Sequence, residues 1–404
     1  MKLPRFFLLV CTGTMLCLSP GCNDAPDPVG IGTQPAGDFG IIRVDTFYAT
    51  GHSSLPNLLY TSSIDRFMLG KYKTYQAWAC LKFASWPDSM IGVTITSATI
   101  RLKSVYHFGD SMSVLSFDAY RARASWASDS LTYDSLNQNT INQPLYNYYY
   151  DVSTKHSSTI QPGDTDWVTI DIPDMTMLRE WFSTNSDTTH LNDGIILSPT
   201  NSNVIRGFYS YYASDTSYQP TLYVNYVGAY GPNTYVHKVS SSKYVSVIDR
   251  ANLITDDNLI YVQDGISYRG LISFDSILTT WPVSIHRAVL QVTLDESNSS
   301  PQFNFFPTPF LNDSLYALSV GTNSKPDGSF YALSQRSTSN LGHVIYSFES
   351  AGLAARWLNN SSARKVALGG FFESGSFDLF TIYSETASEI KLRPRIIISY
   401  SIKR

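Results

Sequence analysis

Cysteine is almost missing from the working part of this 404-residue chain. Of its four cysteines, Cys11, Cys17 and Cys22 lie at the extreme N-terminus, which leaves Cys80 alone in the body. No internal disulfide can staple that body, so its stability has to come from apolar burial, which a chain of this size supports. Charge is scarce as well, at 15% against roughly 25% in soluble domains. The net charge of −4 excludes a nucleic-acid binder held by bulk positive charge. Catalytic fingerprints are absent too: no Gly-x-Ser-x-Gly elbow, no His-Glu-x-x-His helix and no phosphate-binding glycine loop. The seven His residues form no close pair suited to a metal, and no spacing singles out two carboxylates for glycoside hydrolysis. These absences point away from an enzyme.

What fills the space is 27 Tyr, 21 Phe and abundant Ser, Thr and Asn. That composition favours strands and turns over long solvated helices. The expected fold class is all-β.

Residues 1–21 open with Lys2 and Arg5, continue through the apolar run Phe6-Phe7-Leu8-Leu9-Val10 and close on Leu18-Ser19-Pro20-Gly21-Cys22. The apolar stretch is shorter than the roughly 20 residues a bilayer span needs, and it reads as a secretory signal. Its end resembles the bacterial lipoprotein cleavage box, which implies lipidation at Cys22 and a membrane anchor at the cell envelope. Residues 22–40, rich in Pro, Gly and Asp, read as a flexible tether. Loss of Lys2 and Arg5 takes 29 basic residues to 27 against 33 acidic ones, a net −6 for the processed chain. No later apolar run is long enough to cross a membrane.

The body repeats one pattern. Ala98, Ile100 and Leu102 alternate with polar residues, and Ala288, Leu290, Val292 and Leu294 do the same further on; period two marks half-buried strands. Each is preceded by another strand and a Trp-Pro pair, Trp86-Pro87 or Trp281-Pro282. Later come two short helical turns carrying Trp181 and Trp357, then glycine-led apolar strands. Last are the strands after Pro220 and Pro394, prolines that fit a strand entry. Units this long are complete β-sandwiches rather than solenoid repeats. With the Gly- and Pro-rich stretch from Gly228 to Lys238 as the break, the expected domains are 41–228 and 239–404, two jelly-roll-like sandwiches in tandem.

The motifs Val44-Asp45-Thr46-Phe47-Tyr48, Ser97-Ala98-Thr99-Ile100-Arg101-Leu102 and Ser125-Trp126 through Thr132-Tyr133 resemble the DNRLRE-type domain of the carbohydrate-binding modules. So do Arg269-Gly270-Leu271-Ile272-Ser273-Phe274-Asp275 and Tyr383-Ser384-Glu385 before Arg393-Pro394. The resemblance implies non-catalytic binding of polysaccharide, acidic glycans among them, and allows calcium in a sandwich of this class; no other cofactor is expected. Trp78, Ala84 and Gln219 stand where that family has Arg, Asp and Arg, so the two copies are not equivalent.

Sugar binding calls for flat rings and a few planar polar groups. Candidates are the basic-aromatic stretch Lys71, Lys73, Tyr75 and Trp78, together with Arg206, Tyr209, Tyr211 and Arg269. The stretch Asp256-Asp257-Asn258 with Asp264-Gly265 lacks the ligand spacing of a helix-loop-helix calcium site. The competing expectation is a structural or adhesion protein that contacts other envelope proteins.

Overall fold

The structure, a computed structural model, describes residues 42–56, 64–73, 75–83, 92–136, 148–162, 167–182, 192–201, 203–228, 234–249, 258–265, 268–275, 277, 283–299, 315–320, 326–359, 364–371, 373 and 375–402. The signal, Cys22 and the tether lie outside them, as do both Trp-Pro pairs. The fold is all-β, and the strand pairs are antiparallel. Strands are numbered along the chain.

One sheet of ten strands curls to make the first sandwich. Its order is β12 (Thr234–Asp249), β11 (Thr221–Val227), β5 (Thr94–Gly109), β10 (Asn203–Tyr209), β3 (Arg66–Tyr72), β4 (Tyr75–Phe83), β9 (Ile195–Pro199), β6 (Leu115–Ala122) and β7 (Tyr150–Ile160), with β8 (Trp167–Asp171) on β5. Strands β5 and β12, each of 16 residues, serve both layers. The first half of β12 pairs with β11 and the second half with β4. Period-two burial does the rest: Ile100 and Leu102 of β5, Leu81 and Phe83 of β4, and Leu222 and Val224 of β11 meet in one core.

The second sandwich packs a five-stranded sheet on a seven-stranded one. The first runs β1 (Ile42–Tyr48), β22 (Arg395–Ile402), β15 (Val283–Thr293), β19 (Val344–Glu349) and β18 (Gln335–Thr338). The other runs β17 (Pro326–Leu333), β16 (Leu315–Val320), β20 (Lys365–Gly370), β14 (Tyr268–Ser273), β13 (Leu259–Gln263) and β21 (Leu379–Tyr383), with β2 (Gly51–Pro56) on β14. Their inner faces bury Leu290, Val292, Phe380 and Ile398 among others.

The repeat read from the sequence is also a repeat of topology. Ala98 faces Val224 and Ile100 faces Leu222 across β5–β11, as Ala288 faces Ile398 and Leu290 faces Ile396 across β15–β22. Pairings β3–β10, β4–β9 and β6–β7 recur as β13–β21, β14–β20 and β16–β17. The short helices recur as well. α2 (Met175–Phe182) buries Met177, Leu178 and Trp181, and α3 (Ala351–Asn359) buries Leu353, Ala354 and Trp357. That shared spacing makes one apolar stripe, and in α2 the Asp174 carboxylate caps the helix by accepting from the Met177 N–H at 3.0 Å.

The strand membership corrects the expected domain limits. β1 and β2 open the first repeat, yet they pair with β22 and β14 of the second sandwich. β12 opens the second repeat, yet it completes the first sandwich. The repeats exchange their opening strands. The stretch from Gly228 to Lys238 does not separate the sandwiches, since β11 and β12 on either side of residues 229–233 pair with each other; composition reports local chain geometry and not the partner a strand finds.

Gly70 illustrates how closely the first sandwich is woven. Its φ is +142°, and a Cβ there would sit 2.3 Å from the Val204 carbonyl oxygen across β3–β10. Gly70→Ala is expected to lower stability by about 2 kcal/mol or more, through strain and forced strand separation; urea denaturation monitored by tryptophan fluorescence checks it.

Candidate functional site

The eight residues singled out from the sequence do not converge. Lys71, Lys73 and Tyr75 sit on the β3–β4 hairpin; Lys73 takes the turn at φ 53° with its ammonium 5.3 Å from the Tyr72 ring. Tyr75 turns toward Phe108 and Phe377, between the sandwiches. Trp78 is corrected from surface to interior: it is 6% exposed and packs with Trp126, Tyr133 and Tyr150. The pleat puts Leu81 and Phe83 on one face of β4 and Trp78 on the other, where the segment around α1 (Tyr133–Leu136) covers it. Arg206 is turned inward as well, 4% exposed, donating to the Gln161 carbonyl at 3.0 Å. Arg269 makes a two-pronged pair with Glu373, 2.8 Å on each arm, and the Tyr316 hydroxyl donates to the same carboxylate. Tyr211 is exposed.

Tyr209 joins an outward-facing arrangement whose other members the sequence did not single out; Arg101, Lys103 and Trp167 lie at strand positions that look ordinary in the sequence. On the outer face of the first sandwich, Arg101 and Lys103 of β5 stand beside Trp167 of β8. Lys103 is the direct cross-strand partner of Trp167, and Arg101 is its diagonal neighbour. The Arg101 guanidinium lies 4.1 Å from the Trp167 ring centre. Lys103 reaches both Trp167, at 5.7 Å, and Tyr218, at 5.3 Å. Tyr218 stacks on Tyr209 at 5.1 Å with 29° between the rings. A single turn of 3-10 helix, Thr216–Tyr218, delivers Tyr218, and Asp215 caps that turn by accepting from the Ser217 N–H at 2.9 Å.

The result is a half-buried row of rings and cations: Arg101, Trp167, Lys103, Tyr218, Tyr209. Trp167 and Tyr218 meet edge-on, 6.4 Å apart with 66° between the rings, and each cation–ring contact contributes about 0.5–1 kcal/mol at such a site. Partial burial raises the Tyr209 hydroxyl above the ordinary tyrosine range, Arg66 opposes that rise, and Asp65 adds to it. Chemically, the row offers apolar ring surface beside two fixed positive charges.

A second concave surface of about 520 Å³ crosses the outer face of the five-stranded sheet. Val44, Val289 and Ile397 floor it, the exposed Arg287–Glu349 pair at 2.5 Å rims it, and no aromatic ring lines it. Among the described residues, no group of three or more His, Cys, Asp or Glu is placed to hold a metal ion. Of the proposed Asp256–Gly265 stretch, residues 256 and 257 lie outside the described residues, and Asp264 is buried between the sandwiches.

No protein-family model and no curated protein matches the chain. Among solved structures, the Macrobrachium rosenbergii nodavirus aligns over 91% of this chain and 91% of that one, at 11% identity and a TM-score of 0.11. The infectious bursal disease virus Gx strain aligns over 90% and 76%, at 12% identity and a TM-score of 0.13. Scores this low do not establish a shared fold.

Proposed function

We propose that this chain is a non-catalytic polysaccharide-binding protein of the bacterial cell envelope, anchored by a lipid on Cys22, whose sandwiches are of the DNRLRE type. The row from Arg101 to Tyr209 carries the reading. Sugar rings present apolar C–H faces and hydroxyl edges, and aromatic side chains interleaved with donors complement both, here with Trp167 and Tyr218 meeting edge-on at 66° rather than in one plane. Two fixed cations suit a glycan that bears carboxylates or sulfates, although the processed chain is net negative, so attraction is local to the row. The chemistry asked of the protein is contact alone, with no bond made or broken.

Affinity electrophoresis of the processed chain through gels containing acidic or neutral polysaccharides tests this. Retardation by at least one polymer is the expected result. Trp167→Ala, on the outer face of the first sandwich, should weaken it about tenfold, the equivalent of one ring contact, with a fall of only a few degrees in melting temperature for the two cation–ring contacts it loses. Migration indifferent to every polymer, with an envelope protein recovered in pull-downs, would favour the adhesion role, for which the ring-free groove on the second sandwich is the better surface.

A further inference from the structure

The two sandwiches meet along an apolar seam: Met68, Ala77, Tyr106, Phe108 and Ile205 of the first against Tyr261 and Phe377 of the second. At its margin the seam becomes polar and stays dry. The Tyr106 hydroxyl accepts from the Phe377 N–H at 2.9 Å and donates to Asp378 Oδ1 at 3.2 Å. Asp378 and Asp264 are each 1% exposed. Ser376 donates to Asp264 Oδ2 at 2.6 Å, while Oδ1 has no hydrogen-bond partner. That oxygen is pressed against β20, where a Cβ on Gly370 would lie 2.1 Å from it. Next to it, both amide atoms of the fully buried Gln263 also lack partners.

Two carboxylates buried in one cluster, with the Ser376 hydroxyl donating to Asp264 and accepting from the Asp378 N–H at 3.5 Å, cannot both be ionised at reasonable cost. The charged and titratable groups around them are Tyr106 from β5, Arg66 with Asp65 from the start of β3, and Glu373, Arg269 and Tyr316 from the second sandwich. Arg66 lies against Gly375 and pairs with Asp65, and Arg269 is engaged by Glu373. We propose that the seam is a proton-held joint: the Asp264 carboxyl carries a proton when the sandwiches are docked, and its ionisation loosens the contact between Tyr106 and the 376–378 segment. The exchanged strands keep the sandwiches tied, so loosening is local. Burial, the Asp378 charge and the Glu373 charge push Asp264 well above the ordinary carboxylate range, against the Ser376 hydrogen bond.

The sign follows from which state holds the proton. Once exposed, Asp264 releases it near pH 4, whereas the docked carboxyl keeps it at higher pH. Docking is therefore fully favoured below about pH 4 and weakens as pH rises, by up to about tenfold in the opening equilibrium per pH unit.

Hydrogen exchange of the Phe377 amide, corrected for intrinsic rate, reads the joint directly because that amide donates to Tyr106. Between pH 5 and 8 its protection should fall in the native protein. In Asp264→Asn, which keeps the shape without the titration, the fall should vanish, leaving protection at pH 8 at least tenfold above the native protein. Tyr106→Phe should lower protection at every pH and keep the slope. Infrared spectroscopy of the native protein at pH 7 gives a readout free of substitution: a carboxylic-acid carbonyl band is expected. A pH-independent Phe377 amide, an unchanged slope in Asp264→Asn, no acid band, or restoration of protection at pH 8 by millimolar calcium would each overturn the proposal, the last by putting a cation where the proton was placed.

Discussion

Deleting residues 42–56 unfolds the second sandwich and leaves the first one folded. By position in the chain these residues open the first repeat, so an unexchanged architecture would give the opposite result. β1 pairs along its whole length with β22, from Ile42 opposite Ser401 to Tyr48 opposite Arg395, and β2 pairs with β14 from Gly51 to Pro56. Without them each sheet of the second sandwich loses one run of backbone hydrogen bonds, at a net of roughly 0.5–1.5 kcal/mol per bond. The core also loses the cover of Ala49 and Phe47. The expected loss is on the order of 5 kcal/mol or more, comparable to the whole stability of a domain. Hydrogen exchange should then show amides of β15 and β22 unprotected and those of β5 and β11 intact. Deletion of β12 should reverse the pattern, since Tyr244 belongs to the first core and Val245 and Val247 cover the outer face of β4. Equal loss in both sandwiches from either deletion would contradict the exchange.

Trp357→Ala is expected to destabilise the second sandwich by about 3–5 kcal/mol. The ring is fully buried beneath α3 and stacks at a tilt on Phe274, 5.2 Å centre to centre. Truncation opens a cavity that the flanking strands, paired on both sides, cannot close. Trp357→Phe should cost far less, on the order of 1 kcal/mol, for a specific reason. The indole N–H is buried without a hydrogen-bond partner, so phenylalanine removes an unmet donor while keeping most of the apolar contact. Urea unfolding of both variants gives the two values. Equal losses would mean that ring volume is not what Trp357 contributes.

The candidate row explains why surface sites are hard to read from one sequence. Arg101 and Lys103 occupy the polar positions of a plain alternating strand, and Trp167 lies more than sixty residues away. The period-two pattern says that all three point outward, and nothing in it says that β8 lies next to β5. By contrast, the dense Tyr and Lys cluster from Lys71 to Trp78 drew attention because it is local. The hairpin sends those side chains in opposite directions, Trp78 into a covered face and Lys73 to solvent. Proximity along the chain is a poor guide to a shared face when every second side chain reverses.

Local alternation, turn residues and the apolar stripes of the two short helices were enough to determine an all-β chain, its duplicated strand pattern and the inward burial of Ile100, Leu290 and Trp357. Those properties follow from periodicities of two and about 3.6, which act within a few residues. Tertiary structure alone decided which sandwich each opening strand completes, which rings line up with Arg101, and that Asp264 ends in a dry seam. Those outcomes rest on pairings between segments far apart in the chain. Backbone hydrogen bonding is indifferent to sequence distance, so only the folded whole selects among them.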